Sequence, residues 1–411
     1  MKFRDYQEDI ITKGSEILRK HGFVYLSMEV RTGKTLTALG IADECERTKM
    51  LFVTKKKAIH SIESDYAMLN PGYDIEVINY ESLHKADVNG IDVLVIDEAH
   101  RIGAFPKPNK AAKQLRELIL RQSPHVIFLS GTPTPESFSQ MYHQVYGIPG
   151  NPFSQYKNFY RFADDHVNKT TKKINGFNIN DYSDGKESII KAMDPYMIPY
   201  TQKQAGFEVE VEEDFIEVPL DPVVKAIIKR LKRDRVVEGS DSGEVILADT
   251  GAKMMGKVHQ LCSGTVIFES GNTKIFSLNK AKAIKWKFDS DKIGIFYKFT
   301  AELDALKQVF GDSLTTDIEE FNTTDKHIAL QIQSGREGIS LKAADYLVFY
   351  NIDFSATSYW QARDRMTTKH RNYNKVFWVF SIGGIERKIY KAVVEKKNYT
   401  LRHFKRDLLI K

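Results

Sequence analysis

The chain has 411 residues, 42% hydrophobic and 28% charged; that balance excludes a disordered or fibrous protein, and the length is too great for one compact core, so two domains are expected. Lys and Arg outnumber Asp and Glu by 60 to 54, a net charge of +6, a mild excess that suits an anionic partner without demonstrating one. Cys45 and Cys262 are far apart and form no CxxC pair, which argues against a disulfide framework or structural zinc; no apolar run approaches the ~20 residues of a bilayer span, and the charged start Met1-Lys2-Phe3-Arg4-Asp5 leads into no signal-peptide core, so cytosol or nucleus is expected.

The first 150 residues alternate apolar runs with amphipathic stretches. Val24-Tyr25-Leu26 is a short strand ending in a loop, and 34–46 reads as a helix. Met50 to Val53 is a strand, 56–67 is helical, and Ile75 to Ile78 is a strand. Val93-Leu94-Val95-Ile96 is continuously apolar, as in a strand buried on both faces. A helix follows over 110–122, then the strand Val126 to Leu129. This alternation predicts a parallel α/β sheet. Residues 151–215, rich in Tyr, Phe, Asn and Lys, break the rhythm and read as an insertion or inter-lobe segment, with strand-like alternation over 208–218. Residues 222–238 predict a basic helix carrying Lys225, Lys229, Arg230, Lys232, Arg233 and Arg235; it reads equally as a solvated face and as a DNA-facing one. The α/β rhythm returns with strands at 293–296, 328–332, 346–349 and 376–380 and helices at 300–310, 355–366 and 385–398.

Arg31-Thr32-Gly33-Lys34-Thr35 lies between a strand and a helix, where backbone N–H groups and the helix start favour phosphate. Gly33 would admit the phosphates closely, Lys34 would reach the β- and γ-phosphates, and the Thr35 hydroxyl would bind Mg²⁺. The P-loop glycine expected five positions before Gly33 is replaced by Met28, so this stretch alone is also consistent with an ordinary turn. Asp97-Glu98-Ala99-His100 follows the apolar run 93–96 and places two carboxylates at a strand tip. Asp97 is expected to hold Mg²⁺ through water and Glu98 to orient and deprotonate the attacking water. The two motifs in this order point to an ATP site.

With these residues in place, nearly the whole chain resembles the superfamily 2 helicases and translocases, most closely the Swi/Snf-like double-stranded DNA translocases. Phe3 to Gln7 resembles the adenine-reading motif, with Gln7 in the adenine position. Met28 to Thr35 resembles motif I, whose Swi/Snf versions also lack the early glycine; Arg31 stands where many relatives have glycine. Phe52 to Lys55 is similar to motif Ia, Asn79 to Leu83 to the TYESL segment, Asp97 to His100 to motif II and Ser130-Gly131-Thr132-Pro133 to motif III. Ile295 to Phe299 looks like motif IV and Ser334 to Leu341 like motif V, which brings in Gly338 as a nucleotide-side residue. Gln361 to Arg365 resembles motif VI. There Arg365 is the leading arginine finger, and Thr368 replaces a second arginine, for which Arg363 and Arg371 are candidates.

The resemblance implies two RecA-like parallel-sheet lobes with an ATP cleft between them and a middle insertion: lobe 1 over 1–150, the insertion over 151–215, lobe 2 over 216–411. It implies ATP and Mg²⁺, DNA as partner, and a compact, monomeric motor of the kind bacteriophages encode. Thr54, Lys55 and Lys56 in the first lobe and Ser334 and Arg336 in the second are the expected DNA contacts. The leading expectation is an ATP-driven translocase on double-stranded DNA that remodels DNA structures or protein–DNA complexes. A strand-separating DNA or RNA helicase and an ATP-switched DNA clamp are the alternatives.

Overall fold

The computed structural model describes residues 3–174, 177–206, 210–238, 243–332, 341–355 and 373–394. The chain divides into two compact units, Met1–Phe207 and Glu208–Lys411. The stretch 151–215 is shared between them.

In the first unit the strands are β1 (Phe23–Met28), β2 (Lys49–Thr54), β3 (Asp74–Asn79), β4 (Val93–Asp97), β5 (His125–Leu129), the hairpin β6 (Thr170–Ile174) and β7 (Phe177–Asp181), and β8 (Met197–Tyr200). The helices are α1 (Asp5–His21), α2 (Lys34–Glu44), α3 (Ile59–Leu69), α4 (Lys110–Gln122), α5 (Met141–Val145), α6 (Phe159–His166) and α7 (Ser188–Met193). Six strands form one sheet in the order β3-β2-β4-β5-β1-β8, with every neighbour parallel. The pleat sorts the apolar runs between two faces. Phe23, Tyr25, Leu94 and Ile96 enter one core, while Val24, Leu26, Val93 and Val95 enter the other. The first core is closed by an aromatic group after β5 that includes Tyr142, Phe153, Phe159, Phe162 and Tyr182. Chain from 151–206 therefore completes this unit: β8 pairs with β1, Tyr25 opposite Met197 through Met28 opposite Tyr200.

In the second unit the strands are β9 (Glu210–Pro219), β10 (Val236–Glu238), β11 (Val245–Leu247), β12 (Thr265–Ile267), β13 (Thr273–Ile275), β14 (Ile293–Tyr297), β15 (Leu314–Thr315), β16 (His327–Gln331), β17 (Tyr346–Phe349) and β18 (Tyr373–Ile382). The helices are α8 (Pro222–Asp234), α9 (Gly251–Cys262), α10 (Asn279–Lys287), α11 (Thr300–Phe310) and α12 (Ile318–Thr323), and a last described helix spans Glu386–Val394. Its sheet runs β15-β16-β14-β17-β18-β9, again wholly parallel. Two RecA-like α/β units thus bear out the fold expected of the chain. The edge strand β9 carries Glu210, Glu212, Glu213, Asp214 and Glu217, an acid load that discourages further strand addition; Lys375 pairs with Glu212 at 2.8 Å and Arg387 with Glu217 at 2.7 Å.

Three local expectations change. The basic helix α8 ends at Asp234: Arg235 turns left-handed (φ 65°) and its N–H caps Leu231, after which the chain enters β10. The helix expected over 56–67 opens with a 3-10 turn, Lys56–Ala58, before α3. Helix α1 was not anticipated, although its buried Gln7, Ile10, Ile11, Gly14, Ser15 and Leu18 follow helical spacing. The helix expected over 355–366 lies outside the described residues beyond Ser355.

Candidate active site

The loop after β1 reverses direction through two left-handed residues, Arg31 (φ 64°) and Gly33 (φ 78°). Gly33 is required there by space as well as by φ, since a Cβ on it would stand 2.5 Å from Gln7 Nε2. Thr32 Oγ1 donates to the Glu29 carbonyl at 2.7 Å and fixes the loop internally. Helix α1 holds the same loop from outside. Tyr6 OH donates to the Thr32 carbonyl at 3.1 Å and Gln7 Nε2 to the Gly33 carbonyl at 3.4 Å, while Gln7 Oε1 accepts from Arg4 N–H at 3.1 Å. Gln7 is buried, and both ends of its amide are engaged with protein. From the β8 side, Glu29 N–H donates to Tyr200 O at 2.9 Å. Gln202 donates its backbone N–H to Glu29 Oε2 at 2.8 Å and its amide to Val30 O at 2.9 Å.

Gly33 starts α2, and Lys34 and Thr35 are its first two residues. Lys34 Nζ donates to the Glu29 carbonyl at 3.1 Å. Burial pushes the Lys34 ammonium below its ordinary pKa, against the pull of Glu98, Asp97 and Glu29. The Thr35 side chain is half-buried and forms no hydrogen bond among the described residues.

Asp97 closes β4, and Glu98 follows in the left-handed region (φ 51°). Register pairs Val53 with Ile96, so Thr54 comes level with Asp97 and its Oγ1 donates to Asp97 Oδ2 at 2.7 Å. Asp97 Oδ1 accepts the Glu98 N–H at 3.0 Å, and Tyr80 OH donates to the Asp97 carbonyl. Burial and the Glu98 charge lift the Asp97 carboxyl to about 6; Thr54, Lys34 and Lys55 act against the rise. His100 Nδ1 lies 3.3 Å from Glu98 Oε2 and 3.1 Å from Ser130 Oγ, which also accepts Thr132 N–H at 3.2 Å. The Asp97–His100 turn and the Ser130–Pro133 loop are thus joined through one imidazole. The Thr132 hydroxyl is buried and has no hydrogen-bond partner among the described residues.

The described structure therefore assembles Gln7, Arg31, Thr32, Gly33, Lys34, Thr35, Asp97 and Glu98 in one unit. It changes the place of Thr54, which is wholly buried with its hydroxyl given to Asp97; it has no surface to offer a DNA backbone. Lys55 is half-exposed and Lys56 exposed. Ser334, Arg336, Gly338, Arg363, Arg365 and Arg371 lie outside the described residues. Sequence reasoning assigned no site role to Tyr80 or to the Glu29 carbonyl. Tyr80 was visible within the Asn79 to Leu83 segment, whereas a backbone acceptor leaves no mark in a sequence.

A half-buried lysine at a glycine-capped helix start after β1, on the same parallel sheet as a paired Asp-Glu at the tip of β4, is the set of residue types that a P-loop nucleotide site uses. A SNF2-related domain matches residues 28–262, and a helicase conserved C-terminal domain matches residues 280–368. The chain belongs to the SNF2-related family. It is 20% identical over 372 residues to the ISWI chromatin-remodeling complex ATPase ISW1 of Saccharomyces cerevisiae, covering 80% of this chain and 31% of that protein. It is 21% identical over 377 residues to the CHD3-type chromatin-remodeling factor CHR7 of Arabidopsis thaliana, covering 79% of this chain and 28% of that protein. The chain thus spans less than a third of the length of these relatives. Among solved structures it is similar to a Sulfolobus solfataricus SWI2/SNF2 ATPase core in complex with dsDNA, at TM-score 0.42 and 15% identity over 96% of this chain and 91% of that one. It is also similar to the SWI2/SNF2 ATPase core domain of Sulfolobus solfataricus, at TM-score 0.41 and 17% identity over 100% and 90%.

Proposed function

We propose that this protein hydrolyses ATP and uses the energy to move along double-stranded DNA. The observation that carries the first half is the convergence of Lys34, Thr35, Asp97 and Glu98 at one end of one sheet. Family membership supports the second half.

The donor set fits Mg²⁺ with a nucleotide: a Thr35 hydroxyl that forms no hydrogen bond among the described residues, and an Asp97 carboxyl that burial and the neighbouring Glu98 charge raise to about 6. When bound, the ion would neutralise charge on the phosphates. Lys34 would exchange the Glu29 carbonyl for phosphate oxygens. Glu98, next to Asp97 at the end of β4, would orient the attacking water and take its proton. His100 would then link the state of Glu98 to the Ser130–Thr132 loop. Thr54 acts here as a positioning residue for Asp97, while Lys55 and Lys56, on the exposed turn after β2, are proposed to meet the DNA backbone. Arg365 is proposed as the arginine finger.

The test is the ATPase rate at fixed salt with double-stranded, single-stranded and branched DNA and with RNA. Stimulation is expected to be greatest with DNA that contains duplex. Preference for single strands or RNA would favour a strand-separating helicase instead.

A further inference from the structure

Helix α8 presents a charge pattern that the nucleotide site does not use. Val224 and Leu231 are fully buried and Ile227 and Ile228 pack beside them against the sheet. At 100° per residue these four form one stripe, and Lys225, Lys229 and Lys232 fall together on one flank of it. All three are exposed. The opposite flank carries Arg230 and Asp234, which pair at 3.8 Å, and Arg233 also closes on Asp234 at 2.7 Å. The helix's own acid is therefore taken by its two arginines, and the three lysines enter no ion pair among the described residues. Some exposed cations of this unit find carboxylates, as Lys253 does at 3.2 Å from Asp249 and Lys326 at 2.7 Å from Glu320.

The ladder is regular. Lysines at i, i+4 and i+7 are separated by about 6 Å and about 4.5 Å along the axis, so the row spans about three nucleotides at ~3.4 Å rise per strand. A row of like charges on a well-packed helix is unfavourable in isolation, and a polyanion of matching length removes that penalty.

We infer that Lys225, Lys229 and Lys232 form a contact surface for the phosphate backbone of double-stranded DNA on the second unit. The inference rests on the proposed DNA-dependent function and adds a binding element to it. Contact of this kind carries no base sequence and appears as salt dependence.

The experiment measures duplex affinity by fluorescence anisotropy across a series of KCl concentrations. It compares the unaltered chain with the triple variant Lys225→Gln, Lys229→Gln, Lys232→Gln and with Arg230→Gln from the other flank. Glutamine keeps helix propensity, and thermal melting and basal ATPase without DNA check that each variant is folded. The triple variant is expected to lose affinity by about 10- to 100-fold and to flatten the log K against log salt slope by about 2 to 3, while Arg230→Gln changes the slope by less than about 1. An unaltered chain that binds duplex, with a triple variant of the same slope, overturns the ladder and leaves the proposed function standing. An unaltered chain with no salt-dependent duplex affinity overturns both.

Discussion

Asp97 is held between opposing influences. Burial and Glu98 raise its carboxyl from 3.8 to about 6, and the Thr54 hydroxyl, Lys34 and Lys55 hold the rise in check. A carboxyl whose pKa is raised on folding contributes stability that is full below its unfolded value and is lost as pH climbs through the folded one. The ligand-free protein should therefore lose stability between about pH 4 and pH 6 from this group. Magnesium requires the ionised form, so its binding with nucleotide is expected to strengthen across the same interval. Thr54→Val removes one of the groups that lowers the pKa. It should move the acid limb of the ATPase pH profile upward and reduce activity far more at pH 6 than at pH 8. An unmoved limb would assign that limb to another group. Such a role for Thr54 could not be read from the chain alone, because it depends on β2 lying beside β4 in one particular register. By contrast Lys34 and the Asp97-Glu98 pair were legible, each being set at the end of an apolar run whose strand character was plain.

At the scale of elements, helix α10 is locked to its sheet by a single buried cation. Lys280 Nζ donates to Glu386 Oε1 at 2.9 Å, Val379 O at 2.9 Å and Tyr350 O at 3.1 Å. Both side chains are buried, at 3% and 0% exposure, and Glu386 Oε2 has no hydrogen-bond partner among the described residues. Four segments thus meet on one ammonium: α10, the residue that follows β17, the interior of β18, and the first turn of the last described helix. Removing one partner strands the other charge in the core. Lys280→Met is expected to destabilise the protein by about 3–5 kcal/mol, and adding Glu386→Leu to recover most of the loss; denaturant melts of the two single variants and the double measure the coupling. A double variant no better than the singles would show that the two residues act apart. Sequence analysis assigned no element to Asn279–Lys287, and periodicity could say nothing of such a bridge, since Lys280 reads as one more surface lysine in that stretch. The end of α8 was hidden for a related reason. Val236 and Val237 continue an apolar spacing, and Arg235 adopts the left-handed cap without the glycine that usually announces one.

For the whole molecule, the chain after residue 150 carries part of the nucleotide site. β8 covers the open side of β1, and Tyr200 and Gln202 hold the loop that shapes Gly33 and Lys34. Tyr200 also stacks on Tyr6, ring centroids 4.9 Å apart, so the N-terminal helix and the late strand brace the loop jointly. Phe159, Phe162, Ile189 and Met193 fill one core and Ile198 the other. A first lobe cut at residue 150 would lose these side chains and expose β1 as an unpaired hydrophobic edge. We therefore expect a fragment of residues 1–207 to melt cooperatively and to bind a fluorescent ATP analogue with Mg²⁺, and a fragment of residues 1–150 to do neither. Calorimetry and nucleotide titration on the two fragments decide it. Equal binding by the shorter fragment would mean that the loop keeps its shape without β8, and that the late strand serves the core alone.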